Sequence, residues 1–397
     1  MSADSSLAHS DTQVRGIFEK CQPAVLIIGA AGQIGVELAQ HFLTLIKPGR
    51  LTLADIGRGV DRLKSLPPLA AARKITADVT DFPSLSKLIT ELQPDIVIDL
   101  AAMLSNQMKD QPLLGFDINF GGPYNLLKAL YPLRAAGREP ILFVPSSIAA
   151  TGVVGLPPEQ AAGIAEQNTV YTPHAGNRYG QTKASLEGIM GAMSQALGIK
   201  AIAPRWPIIA SPTKVVGTGA TDYVVQITRS ALRGEPYACP VAPDKHLPLL
   251  TGQDMVRTVT YPLARALETP FDQMREKMLH AYHYNIPSVS LSPRQLHDGL
   301  LTALPPALRP RLNTTFDAGN PINLLLNVYF ERTEGAAIRR DCFDFHLEHD
   351  TLDKFARYVL DAFTANPELL VTPGDPPEKR ADILACCAAV TSPRPRA

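Results

Sequence analysis

The stretch from Ala24 to Asp55 constrains this chain more than any other part. Ala24–Ile28 (AVLII) reads as a buried strand. It runs into GAAGQIG (29–35), a G-x-x-G-x-x-G loop, and then into the helical pattern Gln33–Leu45. A second strand, Leu51–Asp55, ends in an acid 20 residues after Gly35. Glycines at such a turn let the backbone bend sharply and approach a pyrophosphate. The free N–H groups and positive end of the helix then hold it. An acid closing the second strand accepts both ribose hydroxyls and repels a 2′-phosphate, which predicts NAD rather than NADP. The pattern makes Gly29, Gly32, Gln33, Ile34, Gly35 and Asp55 candidate cofactor contacts. Asp78, closing a third strand Ile75–Asp78, is placed to meet the adenine.

The alternation continues. Ser84–Leu92 reads as helix, Asp95–Leu100 (DIVIDL) as strand, and Leu113–Leu133 as helix interrupted near Gly121–Pro123. Ile141–Val144 follows as strand, then Arg178–Leu197 as a long helix and Ala201–Ala203 as strand. Strands alternating with helices predict an α/β fold with a Rossmann-like, doubly wound parallel sheet. After about Pro204 the rhythm changes. Helices are expected at Asp222–Arg233, Gly252–Leu267, Pro293–Ala303 and Leu352–Phe363, within a smaller α+β region. Of the chain's 35 prolines, 15 fall between 204 and 321, so this region should be rich in stiff loops. The expected organisation is a flexible N-terminal extension (1–22) and an NAD-binding domain carrying the catalytic residues (23–205). A mostly substrate-binding region (206–365) and a disordered tail (366–397) complete it.

Chemistry beyond nucleotide binding is signalled by YGQTK (179–183). In this Y-x-x-x-K pair the i, i+4 spacing puts Tyr179 and Lys183 on one helix face. An ammonium beside a phenol favours phenolate and lowers its pKa from about 10. Such a tyrosine takes a proton from a substrate hydroxyl while hydride leaves the same carbon. The strand Ile141–Val144 runs into PSSI (145–148), 32 residues from Ser147 to Tyr179. A serine at the carboxyl end of a parallel strand lies where such sheets bind ligands, and Ser147 can hold the substrate oxygen.

With these residues in order, the chain resembles the extended short-chain dehydrogenases/reductases, the NAD-dependent epimerase/dehydratase family. GAAGQIG, Asp55, Asp78, LAA (100–102), NFGGPYN (119–125), PSSIAATG (145–152), YGQTK and PRWP (204–207) carry the resemblance over about residues 24–300. It implies Ser147, Tyr179 and Lys183 as the catalytic set, and Asn119 as the residue whose helix distortion anchors a water and the lysine. It also implies Val79, Leu100, Ala101 and Ala102 as further cofactor contacts, joined by Tyr179 and Lys183. Segments AAMLS (101–105), PSSIA (145–149), GATDYVVQI (219–227) and HLPLL (246–250) resemble the threonine 3-dehydrogenase branch of that family. That likeness implies Ser105, Thr221 and Asp222 around the substrate, beside Ser147; Trp206, following Arg205 at a strand end, either lines the pocket or packs the domain junction. Two departures fall in the same pocket: Ala220 replaces a threonine and Asn320 a tryptophan. YACPVAPDKHLPLL (237–250) and YNIPSVSLSPRQL (284–296) resemble dehydrogenases of four-carbon sugar acids.

The resulting expectation is an NAD-dependent oxidoreductase acting on the secondary alcohol of a small β-hydroxy acid. The alternative is a sugar-nucleotide epimerase or dehydratase. Charge narrows the partners: 38 Lys+Arg balance 38 Asp+Glu, so nothing draws the chain to nucleic acid or an anionic membrane. Five cysteines in no zinc pattern read as reduced thiols, Cys239 as a small core or pocket residue, and no metal is expected at the lone His174 or His246. Arg205 could reach a carboxylate or serve structure. A small-molecule substrate, a cytoplasmic location and a homodimer formed through Arg178–Leu197 complete the expectations.

Overall fold

A computed structural model describes residues 3–105, 107–151, 163–164, 178–213, 221–276, 284–327 and 329–391. The chain divides into two units. The first comprises Met1–Pro207, Gln253–Pro287 and Thr333–His346; the second comprises Ile208–Gly252, Ser288–Arg332 and Leu347–Ala397. The chain first leaves the first unit at Pro207. The chain returns twice to the first unit, and residues 253–287 and 333–346 belong there rather than to a continuous 206–365 region.

The first unit is built on six parallel strands: β1 (Val25–Ile28), β2 (Leu51–Asp55), β3 (Arg73–Thr76), β4 (Ile96–Asp99), β5 (Ile141–Phe143) and β6 (Lys200–Ile202). Their order is β3-β2-β1-β4-β5-β6, with every pairing parallel. The order reverses beside β1, and in such sheets ligands bind where the order reverses, beyond the carboxyl ends of the strands. The central strands β1 and β4 are buried along their whole length because both faces are covered, and they are apolar up to Asp99 at the end of β4. Helices α2 (Gln33–Leu45), α3 (Gly57–Lys64), α4 (Phe82–Leu92), α5 (Gly122–Ala135) and α6 (Arg178–Leu197) connect them. One core joins Leu26, Val97 and Leu142 of the sheet to Leu126 and Leu130 of α5 and Leu186 and Met190 of α6. Asp78 is not the last residue of β3, which stops at Thr76. It stands in the following turn, where Oδ1 accepts from Thr80 N at 2.9 Å and Thr80 Oγ1 at 2.7 Å.

The N-terminal segment corrects the expectation of a flexible extension. It forms a helix, α1 (Ala3–Cys21). Val14, Ile17 and Phe18 lie at i, i+3 and i+4 and are buried. Phe18 meets Phe42 of α2 edge-on at 5.6 Å, and Asp11 pairs with Arg257 at 3.0 Å. The sequence suggests no more than one helical turn near Val14–Lys20, because the composition around this short apolar stripe is polar.

The second unit holds a three-stranded sheet of 208–210, 247–251 and 289–291. Helices Tyr223–Arg233, Pro293–Ala303 and Leu352–Ala365 share its core. The expected disordered tail is the second correction. Pro377–Thr391 is a helix whose Ile383, Cys386, Cys387 and Val390 enter this core. The stripe is weak to the eye because two of its four residues are cysteines. Asp375 and Asp382 fasten the segment to Arg233 at 2.8 Å and Arg311 at 2.7 Å. Among the described residues no helix is long and apolar enough to cross a membrane.

Candidate active site

The glycine loop closes onto the sheet so tightly that it leaves no space for side chains. Gly29 has φ +72°, and a Cβ there would stand 2.7 Å from Ala101 N and Leu100 C, beyond the end of β4. A Cβ on Gly35 would stand 2.6 Å from the Cα and O of Ala30. Gly32 caps α2 without a side-chain hydrogen bond, and the first turn carries no acid. Its N–H groups and positive end therefore face no carboxylate of their own helix. Asp55 sits against this loop: Oδ2 accepts from Ala31 N at 2.9 Å and Oδ1 from Ile56 N at 2.8 Å. Gly59 makes room for it, since a Cβ there would lie 2.1 Å from Asp55 Oδ1. A cradle shaped by missing β-carbons, an uncapped helix end and a nearby carboxylate suit the pyrophosphate and ribose of a dinucleotide.

The rim of that cradle is fixed from the other side. Val79 is buried, and its carbonyl accepts from Asn125 Nδ2 at 2.9 Å. Leu100 N donates to Ile28 O at 2.9 Å, and Ala101 N donates to Asp99 Oδ1 at 3.0 Å. Ala102 is exposed and Ser105 half-buried in the loop that follows.

The helical interruption expected near Gly121–Pro123 is one π-helical turn, Asp117–Gly121. Gly122 just after it packs on Val79, whose Cγ2 would lie 2.7 Å from an added Cβ. Asn119 is buried within the turn. Its Oδ1 accepts from Met103 N at 2.7 Å, and its Nδ2 donates to Met103 O at 2.9 Å and Thr182 Oγ1 at 3.2 Å. Its bonds thus run to the rim loop and to Thr182, the neighbour of Lys183, rather than to the lysine itself.

Tyr179 and Lys183 lie one turn apart on α6, with Lys183 Nζ 5.8 Å from the tyrosine ring centre. Lys183 is buried and donates to Pro145 O at 2.7 Å. Burial pushes its pKa down to about 8, opposed by the charges of Asp99 and Glu187. Ser147 ends the short strand Ser146–Ser147, two residues past that carbonyl, and its Oγ accepts from Ala149 N at 3.1 Å. Ser147, Tyr179, Lys183 and Asn119 are therefore linked through one helix and the strand ends beside it.

Trp206 is buried, 6.1 Å from Phe143 between ring centres, and its Nε1 donates to Thr258 Oγ1 at 2.8 Å. These contacts lie within the first unit. Arg205 is engaged with Glu187, with contacts of 2.8 Å and 2.7 Å, and both side chains are 1% exposed. Thr221 and Asp222 belong to the second unit. Asp222 is buried at the start of helix Tyr223–Arg233, and its side chain makes no capping bond. Cys239 is a core residue whose thiol burial pushes up to about 11. Asn320 binds its own turn, accepting from Ile322 N at 3.1 Å. Ala220 and His174 lie outside the described residues. Sequence reasoning missed Glu187, whose carboxylate accepts from Ser146 Oγ as well as Arg205. Its position one turn after Lys183 was the available signal. It also missed Asp99, buried at the end of β4.

Comparison with known proteins follows the same outline. The model of the NAD dependent epimerase/dehydratase family matches residues 25–270. An uncharacterised epimerase/dehydratase of Staphylococcus saprophyticus is 26% identical over 284 residues, 70% of this chain and 79% of its own. Mitochondrial L-threonine 3-dehydrogenase of Bos taurus is 26% identical over 287 residues, 72% of this chain and 70% of its own. The structure of L-threonine 3-dehydrogenase from Trypanosoma brucei shares the fold with a TM-score of 0.72 at 24% identity. That match covers 87% of this chain and 98% of the other.

Proposed function

Since the chain belongs to the NAD dependent epimerase/dehydratase family and is an NAD-dependent oxidoreductase of the extended short-chain type, we propose that it oxidises the secondary alcohol of a small β-hydroxy acid. The acid carries an amino group, as in L-threonine, or a hydroxyl at its α-carbon. The observation that supports this most is the buried Lys183 beside the ring of Tyr179. The likeness to bovine L-threonine 3-dehydrogenase supports the substrate class.

NAD supplies the hydride acceptor. In this reading the loop 29–35 with Gln33 and Ile34 holds its pyrophosphate, and Asp55 its adenosine ribose. Asp78, Val79 and Leu100–Ala102 line the rest of the bound dinucleotide. Tyr179 receives the proton of the substrate hydroxyl, and the ammonium of Lys183 favours the phenolate that can accept it. Ser147 Oγ holds the substrate oxygen. Asn119 keeps the rim loop at Met103 tied to α6. Ser105 is assigned to the α-carbon substituents. We also assign a homodimer through α6, which light scattering of the purified chain would read as twice the monomer mass.

The purified protein with NAD is tested on L-threonine, L-allo-threonine, erythronate and threonate, and NADH is followed by absorbance. Net NADH with one of them is expected. Tyr179→Phe should lose at least about a hundredfold of that rate while binding NAD as before. No NADH from any acid, with NAD retained through purification, would instead favour the epimerase reading that the staphylococcal relative's name suggests. An active Tyr179→Phe variant would remove the tyrosine from its assigned role.

A further inference from the structure

Four buried charges meet beyond the carboxyl ends of β4 and β5. Two are cations, Lys183 and Arg205; two are carboxylates, Asp99 and Glu187. Glu187 is committed to Arg205, both of its oxygens within 2.8 Å of the guanidinium, with Ser146 Oγ donating as well. Arg205 donates further to Asn285 Oδ1 at 3.2 Å. That pair neutralises itself, which leaves Lys183 and Asp99. A buried ammonium or carboxylate without a counter-charge is expensive.

The register brings the remaining two together. Ile98 of β4 pairs with Phe143 of β5, so Asp99 stands beside Val144, one residue short of Pro145. Lys183 Nζ is bonded to the carbonyl of Pro145. Adjacent strands lie about 4.8 Å apart, so the carboxylate and the ammonium share one end of the sheet. Asp99 is 1% exposed; its Oδ1 takes Ala101 N, and its Oδ2 has no hydrogen-bond partner among the described residues. We propose that Asp99 is the counter-ion of Lys183, a positioning residue that keeps the ammonium charged next to Tyr179 and at the same time holds Ala101 in the cofactor rim. The electrostatics agree. Burial raises Asp99 to about 7, with Lys183 opposing the rise, and among the charges acting on Lys183 that of Asp99 exceeds that of Glu187.

The role of Lys183 beside a reacting tyrosine rests on the proposed dehydrogenase reading; the pairing of the two charges does not. The first measurement therefore needs no substrate. Infrared difference spectra across pH follow the protonated carboxyl band that Asp99→Asn removes. Lys183→Met is expected to move the midpoint of that band upward by about one pH unit or more, and Lys183→Arg, which keeps the charge, to leave it near the wild-type value. An equal midpoint in wild type and Lys183→Met would overturn the pairing. The second measurement uses whichever acid yields NADH. Asp99→Asn retains an acceptor for Ala101 N but no charge. It is expected to move the alkaline limb of kcat/KM to lower pH, because Lys183 loses its proton earlier. A uniform drop in kcat with the limb unmoved would reduce Asp99 to a loop fastener. If no acid yields NADH, the dehydrogenase reading fails while the infrared result still decides the pairing.

Discussion

Gly29 is the residue at which this site tolerates least. Its backbone is left-handed, and its α-carbon faces the Leu100–Ala101 peptide with no room for a methyl group. Gly29→Ala should cost about 1–2 kcal/mol from conformation alone, plus the displacement of Ala101. Urea unfolding and NAD titration should both report the loss, and a variant with unchanged NAD affinity would contradict the cradle described above. The buried charges give a second expectation. Lys183 is depressed to about 8 from 10.5, so between those values the unfolded chain binds more protons than the folded one. Stability from this group therefore rises with pH across that window and falls away as pH drops through 8. Asp99, raised from 3.8 to about 7, contributes the opposite slope from about 4 to 7. Lys183→Met should flatten the alkaline slope in urea titrations from pH 7.5 to 10. At this scale the sequence was most legible where spacing is the signal: the glycines, Asp55 and the i, i+4 pair of Tyr179 and Lys183. It was least legible for Asp99, Glu187 and Trp206. A strand-end acid, a helix acid and a lone tryptophan read the same whether they face solvent, a ligand or each other, and only packing distinguishes them.

The elements follow the same division. Helices α2 and α6 run over the residues that their patterns mark, because apolar periodicity and a glycine boundary agree. The π-turn at Asp117–Gly121 was foreshadowed by Gly121–Gly122–Pro123, but its bonding was not, because Asn119 reaches 16 residues back and 63 forward. The bracket between α6 and the strand ends has two clamps one turn apart: Lys183 on Pro145 O and Glu187 on Ser146 Oγ. Glu187→Gln should be far more damaging than Ser146→Ala. It leaves Arg205 buried without its counter-charge, at a cost of about 3–5 kcal/mol. The serine variant loses one hydrogen bond, about 1–2 kcal/mol. Comparable losses in urea unfolding would show that the ion pair is not what secures the helix. Beyond a single turn near Val14–Lys20, the terminal helices escaped the sequence reading for one reason. Val14, Ile17 and Phe18, and likewise Ile383, Cys386 and Val390, are short stripes within segments whose composition is polar or small.

For the molecule as a whole, the parallel sheet was legible and the division of the chain was not. Strand–helix alternation is local, whereas residues 253–287 and 333–346 return to the first unit through contacts far apart in sequence. NAD placed at the reversal of strand order should stabilise the unit that carries it, by about 2.7 kcal/mol at a hundredfold excess over its Kd. Hydrogen exchange should slow at amides 29–35 and 100–103 on adding NAD, and unchanged exchange there would remove the cofactor from that crevice.

The interleaving of the second unit carries a consequence for how the chain is made. Its core takes Val224 and Leu247 from one stretch, Leu296 from the next, and Val390 from the last. A ribosome delivers the whole six-stranded sheet before residue 208 is added, so that sheet is complete while its neighbour is still in pieces. Val224 then waits 166 residues for Val390. At about 5–20 residues per second, that is roughly ten to thirty seconds in which an apolar helix face stays uncovered, open to a chaperone, before its own last helix arrives.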